Sequence, residues 1–77
     1  MISPEQCRAA RVLLDMAAID LAEGAGVGIA TIKRFESGQA VKPATVERLA
    51  THLTTAGVIF ISAGEASTSG NAGVRLS

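Results

Sequence analysis

Apolar positions recur every three or four residues along most of the chain and stop doing so near its end. That change of period divides the sequence. Ser3-Pro4-Glu5-Gln6 opens the first run: Ser3 suits an N-cap, Pro4 the first helical position, and Gln6 can reach back to the cap's own N–H as a capping box. Cys7, Ala10, Leu14 and Ala17 follow at helical spacing with Leu13 beside them, which predicts a helix from about Pro4 to Asp15. Arg8 and Arg11, three apart, occupy neighbouring parts of one face; by pattern alone both belong to a solvated helix surface. A second helix starts near Ala17-Ala18, buries Leu21 and Ala22, and must stop at Gly26, where a left-handed residue is best supplied by glycine. Val27 plugs the corner. Ile32 and Phe35 then give a third helix, over about Gly28–Ser37, one buried stripe, with Lys33 and Arg34 pointing elsewhere, and Gly38 closes it.

Gln39 to Lys42 read as a loop. Pro43 opens a fourth helix that turns Val46, Leu49, Ala50 and Leu53 inward and runs to about Ala56, ahead of a stop at Gly57. Past that glycine the period becomes that of a strand. Val58-Ile59-Phe60-Ile61 is β-branched and aromatic, and Gly73 to Ser77 offers a second strand with Val74 and Leu76 on one face. The Gly-, Ser-, Ala- and Thr-rich run from Ser62 to Ala72 between them predicts a mobile connection. The organisation expected is a helical domain over 1–57 and a strand or hairpin extension over 58–77. A two-stranded hairpin is marginal alone, so it must pack on the helices or pair with another chain.

Composition narrows what such a fold can do. The 77 residues are 48% hydrophobic but include no Trp, no Tyr and two Phe, so the core is built from small aliphatic side chains and association would help it. Seven Lys and Arg balance seven Asp and Glu; the placement is less even, since residues 28–42 hold Lys33, Arg34 and Lys42 against Glu36 alone. Cys7 is the only cysteine, which rules out an internal disulfide and a cysteine-based zinc site and fits a reducing, cytoplasmic setting. No secretory-type start and no apolar run long enough to span a bilayer is visible. His52, Cys7 and the carboxylates show no nucleophile–base or metal spacing, so no enzyme, metal or cofactor is expected; His52 reads as a rim residue of the fourth helix.

Two short helices joined by a glycine-containing turn, the second with a basic outer face, form a helix-turn-helix pattern. The run Leu21-Ala22-x-x-x-Gly26-Val27-x-x-x-Thr31-Ile32-x-x-Phe35-Glu36-x-Gly38 resembles the lambda-repressor/Cro-like (Xre-type) helix-turn-helix family. With the flanking helices the resemblance covers about residues 4–57. It implies a mainly α domain of four to five helices with a short C-terminal β-strand or hairpin. It also implies a small bacterial or phage-type transcriptional regulator that binds duplex DNA as a homodimer on inverted half-sites, with no small-molecule ligand evident.

By motif position, the base-reading side chains fall on Ile29, Ala30, Lys33 and Arg34 of the third helix. Phosphate contacts are expected from Ala18, Gly28, Thr31, Arg11 and Lys42. In the family a first-helix Arg commonly pairs with the Glu after the recognition helix, which here is Arg11 with Glu36; the alternative is an Arg11 free on the surface. Val58, Ile59, Phe60, Ile61, Val74 and Leu76 are expected to serve dimerisation; the alternative is that residues 73–77 close an intramolecular hairpin and the fourth helix makes the dimer contacts. Two positions depart from the pattern. Ala17 and Ala18 stand where a Ser or Thr cap and a phosphate-binding Gln are usual, and Gly28 stands where a Ser or Thr cap is common. Those departures and the neutral charge support a second reading, an antitoxin- or antiactivator-like interaction module with weak DNA binding.

Overall fold

A computed structural model describes residues 1–62 and 73–77; the expected connection between the strands lies outside the described residues from 63 onward. The elements run α1 Pro4–Leu13, α2 Ala18–Ala25, α3 Ile29–Glu36, α4 Pro43–Ala56, β1 Val58–Ile61 and β2 Gly73–Leu76. The strands form an antiparallel pair, with Val58 opposite Leu76 and Ile61 opposite Gly73. The fold is thus mainly α, with four helices and a two-stranded hairpin among the described residues.

α1 ends two residues before the sequence pattern suggests. Asp15 takes a left-handed conformation (φ 53°), its N–H bonds to Val12 O (3.1 Å), and Met16 N–H bonds to Arg11 O (2.8 Å). Those paired bonds close a helix in the way a glycine usually does. α3 ends on the same motif, with Gly38 at φ 93° and the bonds Gly38 N–H to Phe35 O and Gln39 N–H to Arg34 O. Because the chain leaves α1 at Leu14, Leu13 stays exposed and Ala17 becomes the exposed N-cap of α2 rather than a core position.

The core gathers Cys7 and Ala10 from α1, Leu21 and Ala22 from α2, Ile32 and Phe35 from α3, and Val46, Leu49 and Leu53 from α4. Val58 completes it and is fully buried, so the start of β1 belongs to the same cluster as the helices. Gln6 ties the far end of the hairpin down. Its Oε1 accepts from Ser3 N–H (2.8 Å) while its Nε2 donates to Ile61 O (3.1 Å) and Gly73 O (2.8 Å). One buried amide therefore caps α1 and joins both strands to it, which is how this polar group is satisfied inside. Gly24 has a different reason to be glycine: it lies inside α2 under the His52 imidazole of α4, and a side chain there would overlap that ring.

Candidate nucleic-acid interface

α3 is positioned by its inner side. Ile32 and Phe35 are buried against the other helices, and Glu36 ends the helix beside α1. The Arg11 guanidinium grips that carboxylate at two points, Nε to Oε2 at 2.8 Å and Nη2 to Oε1 at 2.6 Å, while Nη1 donates to Met16 O at 3.1 Å. The side chains are 18% and 9% exposed, so the pair is largely removed from water. The buried Cys7 thiol donates to Oε2 (3.2 Å), and Arg8 Nη2 donates to the Glu36 backbone carbonyl (2.8 Å). The C-terminal turn of α3 is therefore held to α1 by three side chains of one helix.

The electrostatics follow from that packing. Burial alone would raise the Glu36 carboxyl, but the hydrogen bonds from Arg11 and Cys7, with the charges of Arg11 and Arg8, hold it below its ordinary value. The bond to Glu36 holds Arg11 above its own ordinary value against the opposing effect of burial. Cys7 is pushed up to about 12, first by burial and then by the hydrogen bond and charge of Glu36. The thiol therefore stays protonated and acts as a donor. It is not a nucleophile at neutral pH.

The opposite side of α3 is bare. At about 100° per residue, the middle of the face turned away from Ile32 and Phe35 is Ala30, with Lys33 and Arg34 flanking it and Ile29 at the rim. Ala30, Lys33 and Arg34 are exposed, and Ile29 is 37% exposed. Among the described residues, neither the Lys33 ammonium nor the Arg34 guanidinium has a hydrogen-bond or ion-pair partner. All four expected base-reading residues thus share one side of one helix, and exposed Gly28 is that helix's N-cap with no side-chain cap bond.

The expected phosphate contacts are more scattered. Thr31 is half-buried on the flank of α3, and exposed Lys42 is the N-cap of α4. Ala18 is the first residue of α2, whose cap Ala17 has no acceptor; the Asp20 carboxylate accepts from Ala17 N–H at 3.2 Å. That bond restores half of a capping box and puts a negative charge at the start of α2. Arg11 has two of its five hydrogens left after Glu36 and Met16 are served.

Arg8 was not legible from the sequence as a site residue. Its only signal is its place beside Arg11 on the helix face, and its acceptor lies 28 residues away. Gln6 had a stronger one, because a polar residue four before Ala10 sits on the apolar stripe of α1. Of the residues expected to serve dimerisation, Val58 is spent on the core, while Phe60, Ile61 and Val74 are half-buried. Ile59 and Leu76 remain open, 39% and 52% exposed.

The helix-turn-helix family model matches residues 8–56, from the first turns of α1 to the last residue of α4. No curated protein matches the chain. The matched stretch covers more than half of the sequence and contains both the turn at Gly26 and the whole of α3, and the chain belongs to the lambda-repressor/Cro-like helix-turn-helix family of DNA-binding regulators.

Proposed function

We propose that the protein binds specific duplex DNA sequences with α3 in the major groove and acts as a homodimer on inverted half-sites. The observation that carries this reading is the uncommitted outer face of α3: Lys33 and Arg34 stand free among the described residues while the last turn of the same helix is locked to α1 at Glu36. A major groove admits one helix, and Arg or Lys can donate to guanine O6 and N7 there. Lys42 and the open N–H groups following Gly28 supply phosphate contacts that orient the helix without specifying sequence. The start of α2 contributes less than is usual for such domains, because Asp20 stands beside it. With no net charge on the chain, affinity depends on local groups more than on a broad positive field.

One helix reads only a few base pairs, so a two-fold pair of protomers is the economical arrangement. Ile59 and Leu76, on opposite faces of the hairpin, are its exposed apolar side chains, and a two-stranded sheet has free edges that favour pairing there. Deleting the hairpin would remove Val58 from the core. The dimer is therefore tested by Ile59→Lys with Leu76→Lys, which places a charge on each face of the hairpin and is read by sedimentation; the double variant should become monomeric with an unchanged far-UV signal, and a persistent dimer would rule out pairing through the hairpin.

Selection from a random duplex pool tests the function itself. The expected product is an inverted repeat whose half-sites lie about 34 Å apart, one DNA turn. The interaction-module reading is favoured by Asp20 at the start of α2 and by the balanced charge. It would show as no enriched sequence and as binding that hardly changes with salt.

A further inference from the structure

We infer that the first turn of α3 recognises thymine, through its 5-methyl group, with Ile29 and Ala30 making the contact. This rests on the reading of α3 as the groove helix. The turn offers no other side chain outward. Gly28 has no side chain, Ala30 ends in one methyl at the middle of the exposed face, and Ile29 presents an aliphatic edge at the rim. Among the described residues of this turn the one hydroxyl, that of Thr31, is half-buried and lies about 100° around the helix from Ala30. The basic pair Lys33 and Arg34 begins one turn later.

An apolar turn still discriminates among base pairs. In the major groove only a pair containing thymine carries a methyl, next to O4, whereas guanine and cytosine present N7, O6 and N4. Burying those polar groups under Ile29 and Ala30 would remove their water without returning a hydrogen bond, which is costly. Covering a methyl is favourable. The absence of a long side chain at Gly28 and Ala30 also lets the helix approach closely enough for a carbon–carbon contact. The half-site is thus read in two chemistries, a methyl at the start of α3 and guanine acceptors beside Lys33 and Arg34.

The probe is the duplex enriched from the random pool, with each thymine replaced in turn by deoxyuridine. That change removes the 5-methyl and leaves O4 and base pairing intact. At one or two thymines of each half-site the affinity should fall about fourfold, the equivalent of about 0.8 kcal/mol for one buried methyl. Ile29→Ala or Ala30→Ser should shrink that loss at the same position, and Lys33→Ala should leave it in place. If no uridine weakens binding in a protein that still selects its sequence, the inference is overturned and α3 remains the reader. A loss that neither Ile29→Ala nor Ala30→Ser alters also overturns it. A protein that selects no sequence overturns both readings together.

Discussion

Where α3 meets α1, Glu36 accepts from Arg11 and Cys7 and its carbonyl accepts from Arg8; on the face turned away from Ile32 and Phe35, Lys33 and Arg34 reach into solvent with no partner among the described residues. Both sides carry charge, yet one is saturated and the other idle. The difference separates two jobs. The saturated side fixes where the helix stands, and its alteration should change stability. The idle side is free to exchange water for a ligand, and its alteration should change affinity and leave the fold intact. Recognition by a short helix needs both, since a reader that rocks on its support loses register on the bases.

The largest effect is expected on the saturated side. Glu36→Ala strands the Arg11 guanidinium in a largely buried setting and leaves the Cys7 thiol without its acceptor. It should cost about 2–3 kcal/mol, somewhat under the range for fully buried pairs, and lower Tm by about 10–20 °C in a domain of this size. An unchanged melting temperature would mean that the pair adds nothing and the contrast between the faces fails.

Acid and alkali should act on the same cluster. Glu36 is held low in the folded state, so its contribution is complete above the ordinary Glu range, about 4.3, and is lost as pH falls through the lower folded value. Cys7 works in the other direction. Folded, it keeps its proton up to about 12, whereas the unfolded thiol titrates near 9.0, so stability is intact below 9.0 and declines from there toward 12. Urea unfolding across this range should show an alkaline decline that Cys7→Ala removes; a decline that persists in Cys7→Ala would place its origin elsewhere.

Smaller effects belong to the open side. Lys42→Ala should weaken binding to all sequences alike and reduce the slope of log affinity against log salt by about 1, with an unchanged Tm; a sequence-dependent loss would make Lys42 a base reader. Smallest is Gly28→Ser, which supplies the missing cap of α3 and should stabilise the fold by a few tenths of a kcal/mol in thermal unfolding. A larger gain would show that the start of α3 is frayed without it.

Much of this architecture was legible in the sequence because its signals are local. Pro43 and Gly57 bracket α4 at the bounds observed, and the β-branched run 58–61 is β1 residue for residue. The third helix and its outward Lys33 and Arg34 follow from the spacing of Ile32 and Phe35. What failed was also local in cause: Asp15 takes a left-handed turn that glycine would have announced, so α1 read as two residues too long. The contacts that hold the elements together could not be seen in this way. Gln6 reaches acceptors 55 and 67 residues away, and Cys7 meets Glu36 across 29. Periodicity places such residues on a face and says nothing of their partners. The Arg11–Glu36 pair was expected from the family resemblance alone.

Whether α3 reads base edges through its open side is decided by Arg34→Ala. The measurement is the affinity of the unaltered and altered proteins for the selected duplex and for random-sequence duplex at the same salt. Affinity for the selected site should fall by about 1–3 kcal/mol, affinity for random DNA should change much less, and Tm should stay the same. Equal losses on both duplexes would make Arg34 a phosphate contact, and α3 would not be reading sequence through it.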